Sequence, residues 1–209
     1  MSSICLILLS LVSLFAEEPK LVSTKIVEGV HAGLPKDFYP MSDDDMASRY
    51  PSTKRPVAMY TDIDRMVDFG LNVSKAKFPG SDVMILKEFY KSTILETYEK
   101  VDFIKDGIEE INGKKFIVFE FTSYADQTKK YSYLQYALIN GFVYIFNFTS
   151  ADNAKEKWQP VANAIMKTIK IDAKKLYEVA PANPKEPTLR GKAAKDVLIE
   201  QNQRKKKNK

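Results

Sequence analysis

The chain has 209 residues, 44% apolar and 28% charged, with 32 basic against 27 acidic side chains and a formal charge of +5. One Cys, one His and one Trp stand against 12 Phe and 11 Tyr. These figures fit one globular domain with extensions and exclude a disordered chain, a disulfide scaffold, a Cys/His zinc module and a polytopic membrane protein.

Residues Ile4–Ala16, ICLILLSLVSLFA, form an uncharged, mostly apolar run of 13. A bilayer-spanning helix needs about 20 residues. The run has the length of a signal-peptide core, and Ala16 before Glu17-Glu18-Pro19 is a cleavage point, so residues 1–16 read as an export signal. No Lys or Arg precedes the run, which makes the signal atypical or places its start upstream. Cys5 follows Ile4 and precedes most of the run, the reverse of a lipoprotein arrangement, so lipidation is not expected. Cleavage after Ala16 leaves a mature chain without cysteine and hence without a thiol nucleophile or thiolate metal site.

The elements follow in order over residues 17–173. A strand is predicted over Leu21–Glu28. Ser42-Asp43-Asp44-Asp45 opens a short helix toward Tyr50, with Ser42 as N-cap and aspartates at the positive helix end. Pro56–Tyr60 and Val67–Ser74 read as strands joined by a turn over Thr61–Arg65. Val83, Leu86, Tyr90, Ile94 and Tyr98 repeat at helical spacing within Ser81–Lys100, behind a Ser81 or Asp82 cap. Asn112-Gly113 and Asn140-Gly141 sit between β-type runs, and Asn-Gly accepts the positive φ angles of a type I′ turn. Strands are therefore predicted over Asp102–Ile111, Lys114–Ser123, Tyr131–Ile139 and Phe142–Thr149, with a polar loop over Tyr124–Lys130. Both parities of Phe116–Phe121 and Phe142–Phe148 are largely apolar, which predicts cover on both faces. Ala154–Ile169 carries an apolar stripe through Trp158, Val161, Ala162, Ile165, Met166 and Ile169; Pro160 lacks an amide donor and predicts a kink or a start near it.

Residues 174–209 differ in kind. They hold 11 basic and 4 acidic side chains, so +7 of the +5 total lies there and the rest of the chain sums to −2. The segment offers few large apolar residues, and disorder is expected through most of it, with a short helix possible over Gly191–Gln203. Arg204, Lys205, Lys206, Lys207 and Lys209 form a candidate polyanion-binding end for anionic lipid or polymer. An export signal at the other end argues against reading the same string as a nuclear address.

Two stretches carry a resemblance: Leu34-Pro35-Lys36-Asp37-Phe38 with Tyr39-Pro40, and Tyr133 through Ile171, a closing hairpin followed by a helix. With the element order, they make residues 20–171 resemble the PsbP-like α/β/α sandwich, shared by PsbP, Ran-binding Mog proteins and bacterial DcrB-related proteins. The likeness implies an α+β fold: a mainly antiparallel sheet of about six strands, covered by two long helices and one short helix. It also implies accessory or adaptor roles in the envelope, without a cofactor. PsbP's own metal and photosystem contacts do not carry over, because the matching basic arm and paired histidines are missing.

Site signals are sparse. His31 stands alone, and no triad or His-based metal site can be built around it. Asp43-Asp44-Asp45 reads as helix capping and Asp62-Ile63-Asp64 as a turn, since neither fits the alternating acidic and Gly pattern of a calcium loop. The sequence motifs of α/β-hydrolases, P-loops, dinucleotide-binding folds and zincins do not occur, so a non-enzymatic protein is expected. Tyr131, Tyr133, Tyr144 and Phe146 are candidate ligand-groove aromatics, although alternating aromatics in a sheet are more often cross-strand core pairs. Basic residues do not interleave with them, so nucleic acid is not an expected partner. The expected function is an exported binding or accessory protein working through an envelope protein or a polyanion. The alternative is a carrier of a small apolar ligand or lipid between sheet and helix. Oligomeric state stays open.

Overall fold

The computed structural model describes residues 18–50, 55–74, 77–78, 80–125 and 127–176. Residues 1–16, where an export signal is expected, and the basic residues Arg204 to Lys209 lie outside the described residues. Ten strands and three helices follow in order: β1 (Leu21–Val27), β2 (Val30–Pro35), β3 (Tyr39–Pro40), α1 (Asp43–Arg49), β4 (Ala58–Thr61), β5 (Val67–Val73), α2 (Val83–Thr97), β6 (Lys100–Ile111), β7 (Lys114–Ala125), β8 (Thr128–Ile139), β9 (Phe142–Ala151), α3 (Lys155–Thr168) and β10 (Lys170–Ile171). Seven strands form the main sheet in the order β3-β4-β5-β9-β8-β7-β6, and β1-β2-β10 form a second one. Every pairing is antiparallel.

Local chemistry explains the elements. Asn112 and Gly113 have φ of 49° and 74°, and Asn140 and Gly141 have 53° and 84°, so both Asn-Gly pairs turn as their sequence requires. The side chain of Ser42 accepts from the Asp45 amide, and that of Asp82 from the Met84 amide, capping α1 and α2. Asp62 Oδ1 accepts from the amides of Met66 and Val67 at 2.7 and 3.0 Å, which closes the turn before β5. Asp62 is a turn-former here, as its spacing predicts.

The main sheet is buried from both sides. One face carries Phe69, Leu71, Phe116, Val118, Phe146 and Phe148 against α3 and the small sheet. The other carries Ile117, Phe119, Phe121, Tyr136 and Val143 against Leu86 and Ile94 of α2. All five stripe residues of α2 pack there, with Val83, Tyr90 and Tyr98 partly buried.

Four expectations change. The main sheet has seven strands where about six are expected, and β1-β2-β10 add a second sheet among the described residues. Strands β2 and β10 are too short for a visible period, and β2 follows a tight turn at Gly29 with φ of 74°. The loop expected over Tyr124–Lys130 is mostly strand, because β7 reaches Ala125 and β8 starts at Thr128. Helix α3 begins five residues before Pro160 and continues through it; burial of Trp158, Ala162, Ile165 and Met166 holds the helix where one amide bond is missing. The packed chain also reaches three residues past the expected domain end at 173: the Asp172 amide donates to Gly29 O at 2.8 Å, and Leu176 packs against the core.

Candidate functional site

The four aromatics singled out as a ligand groove are core residues. Tyr131 and Phe146 are fully buried, and Tyr133 and Tyr144 nearly so, all in the cluster beneath α3. The Tyr131 hydroxyl donates to Glu120 Oε1 at 3.0 Å, and Gln159 Nε2 of α3 donates to the same oxygen at 2.6 Å. Tyr133 meets Lys105 Nζ at 3.4 Å. Their rings fill the space between sheet and helix instead of lining a groove, because both faces of a central strand must be covered. His31 lies exposed on β2, opposite Lys25 and Lys170.

A different place in the fold has the form of a site. On the α2 side of the main sheet, the helix covers only the apolar half of the face. Beyond its C-terminal end the same strand faces turn polar: Ser123 follows Phe121 on β7, Ser132 precedes Leu134 on β8, and Asn147 and Thr149 follow Ile145 on β9. These four, with Thr128 and Lys130, floor a recess of about 480 Å³. Tyr98, the C-cap of α2, forms one wall, and Arg49 and Tyr50 at the end of α1 form another, above Asp68 of β5. Cross-strand register makes the floor continuous: Asp68 pairs with Thr149, Thr149 with Ser132, and Ser123 with Lys130.

An ion pair fixes the α1 wall. Arg49 Nη1 and Nη2 reach Asp68 Oδ1 and Oδ2 at 3.0 and 2.7 Å, and the Tyr50 hydroxyl donates to Oδ2 at 2.7 Å. This is a two-pronged guanidinium–carboxylate contact, the strongest common form of charged hydrogen bond. Burial, and then the hydrogen bond to Asp68, push the Tyr50 phenol well above its ordinary range, so it stays a donor at neutral pH. Asp68→Ala is expected to cost about 1.5–3 kcal/mol in urea unfolding, the worth of hydrogen bonds to a charged group. The same change should speed amide exchange in α1. Unchanged exchange there would show that the pair does not hold the helix.

Gly70 sits next to Asp68 for a steric reason. A Cβ there would stand 2.7 Å from both Asn147 Oδ1 and Met59 Cε, so a larger residue would have to push these two side chains aside. Asn147 Oδ1 is itself buried without a hydrogen-bond partner among the described residues.

None of the ten recess residues was legible as a site in the sequence. They come from separate stretches between Arg49 and Thr149, and polar residues in strands normally signal a solvent face. One signal exists: Ser123, Ser132 and Asn147 break apolar runs of their own parity.

Among the described residues no three His, Cys, Asp or Glu side chains gather as a metal site, and no helix is long and apolar enough to cross a membrane. No family model and no curated protein matches the sequence. Solved structures do match in shape. The cyanobacterial PsbP protein CyanoP of Synechocystis sp. PCC 6803 superimposes with a TM-score of 0.51 and 9% identity, over 69% of this chain and 87% of that one. LpqN, involved in cell envelope biogenesis of Mycobacterium tuberculosis, gives 0.53 and 14%, over 73% and 90%. The Saccharomyces cerevisiae Ran-binding protein Mog1p gives 0.47 and 9%, over 73% and 96%. The fold is PsbP-like. At these identities the likeness concerns the fold and leaves activity to the residues.

Proposed function

We propose that this chain is an exported, non-enzymatic binding or accessory protein of the cell envelope, recognising its partner through the recess between α1 and α2. The supporting observation is the recess itself: part of a sheet face left uncovered and lined by polar groups, where the adjoining part is apolar and covered by α2. A volume of about 480 Å³ falls within the range of small-molecule and side-chain binding sites. Nothing has to move to form it, since the Arg49–Asp68 pair and the Tyr98–Phe121 contact, 5.8 Å between ring centres, already set its walls. The apolar sheet–helix interiors are occupied by their own side chains, which favours a surface recess over a carrier cavity. The export signal over residues 1–16 supports an envelope address, and the basic segment 174–209 adds salt-sensitive attraction to anionic surfaces, on the order of 1 kcal/mol per basic residue near such a membrane.

The test is capture from the native envelope with three versions: the whole chain, a chain ending at Leu176, and Thr149→Tyr, which fills the recess with a side chain suited to a strand. Loss of the partner with Thr149→Tyr, and its retention by the shortened chain, is the expected result. A partner held equally by the whole chain and by Thr149→Tyr would remove the recess from the function. Capture lost only with the segment after Leu176 and weakened by salt would assign it to that segment instead.

A further inference from the structure

We infer that the recess takes one unit of an acidic saccharide, a hydroxyl-bearing ring with a single carboxylate, and that Lys130 receives the carboxylate. This inference deepens the binding reading above and rests on it.

Charge carries the first half. On this face of the sheet Lys87 and Lys91 are already matched with Asp106, and on the opposite face Lys100 pairs with Asp102 and Lys129 with Asp152. Lys130 is exposed at the recess and has no carboxylate partner among the described residues. The one carboxylate in the recess, Asp68, is taken by Arg49. The site therefore carries one uncommitted positive charge, which selects a ligand with one negative charge.

The floor carries the second half. The hydroxyls of Ser123, Ser132 and Thr149 can each donate and accept, while Asn147, whose Oδ1 is buried, can offer only its Nδ2 as a donor. Groups of this kind are complemented by hydroxyls, which also do both. An apolar ligand would bury them unpaired, at about 1–3 kcal/mol each. Inorganic phosphate has at most two hydroxyls and no C–H face, so it would leave the ring of Tyr98 uncovered, and its charge would stand near the Asp68 carboxylate. A sugar ring donates and accepts around its rim and presents C–H faces, and the ring of Tyr98, seated on Phe121, gives such a face an apolar wall.

The experiment titrates the whole chain separately with glucuronate, glucose and inorganic phosphate at fixed ionic strength. Amide shifts of β8 and β9 residues at the recess are followed by nuclear magnetic resonance, which separates binding there from binding elsewhere on the chain. Lys130→Gln is titrated in parallel. Glucuronate is expected to saturate these shifts, glucose to bind about tenfold more weakly, and phosphate to leave them unsaturated. Lys130→Gln should reduce glucuronate to the level of glucose. Glucose equal to glucuronate overturns the role of Lys130, and phosphate equal to glucuronate overturns the saccharide. No saturation with either sugar overturns the inference. A partner captured through the recess without sugar binding would end this inference alone; capture indifferent to Thr149→Tyr would end the binding reading as well.

Discussion

Phe148→Ala is expected to cost about 3–5 kcal/mol, the range for removing a buried aromatic ring without refilling its space. Phe148 has no exposed surface. Its ring centre lies 6.4 Å from that of Tyr131 and 6.3 Å from that of Trp158, whose ring in turn meets Phe38 at 5.9 Å. The phenyl thus joins the sheet to α3 and to the segment before β3, and its loss leaves a void that rigid strands on either side cannot close. A domain of this size is stable by about 5–15 kcal/mol, so the loss is a large share of the total. The internal control is Phe89→Ala on the outward side of α2, where the ring is 58% exposed. That change should stay within about 0.5 kcal/mol. Urea unfolding followed by far-ultraviolet circular dichroism measures both. A loss below about 1 kcal/mol for Phe148→Ala would mean that the ring is not packed as described.

Alkaline unfolding should be steep, and tyrosine burial is the reason. Tyr131, Tyr133, Tyr136 and Tyr144 are each at most 5% exposed, and burial pushes every one of their phenols above the ordinary value. For Tyr131 the Glu120 carboxylate adds to the rise, and for Tyr133 the nearby Lys105 opposes it. In the unfolded chain all four ionise near pH 10. The folded form keeps its protons where the unfolded form has released them. Stability from these groups is therefore complete below about pH 10 and falls as pH rises above it. A phenol that stays protonated in the folded form removes about 1.4 kcal/mol per pH unit above pH 10, so Tyr131 and Tyr136, whose phenols are raised furthest, together remove on the order of 3 kcal/mol per unit. A domain near the lower end of the usual range of about 5–15 kcal/mol is therefore expected to unfold about two units above pH 10. Tyrosinate absorbance and circular dichroism should then change together. Tyr136→Phe, which removes one of the four ionisations, should move the transition upward. Smooth ionisation near pH 10 with the fold intact would refute the burial of these phenols.

Much of the fold can be read from local chemistry. Asn112-Gly113 and Asn140-Gly141 define two hairpins because their φ angles are set within the turn itself. Ser42 and Asp82 mark helix starts because a cap satisfies amides only two or three residues away. The double-sided apolar runs Phe116–Phe121 and Phe142–Phe148 show that the sheet is covered twice, as α2 and α3 cover it. Strand β10 was not legible: two residues, Lys170 and Ile171, become a strand only when His31 and Val30 lie beside them. The alternating aromatics favour core pairs over a groove, but alternation specifies a face and not what covers that face.

The same distinction governs the function. The sequence by itself determined the charge division at Lys174, the apolar run at Ile4–Ala16, the sparse nucleophile inventory and the order of helices and hairpins, because each of these depends on neighbours along the chain. Only the tertiary structure decided that Tyr131 and Phe146 are interior and that Asp68 is held by Arg49, nineteen positions away in the chain. It alone brought Ser123, Ser132, Asn147 and Thr149 under the end of α2 beside Tyr98. A recess is a property of what a helix fails to cover, and the length and placement of α2 over the sheet are set by packing between elements distant in sequence.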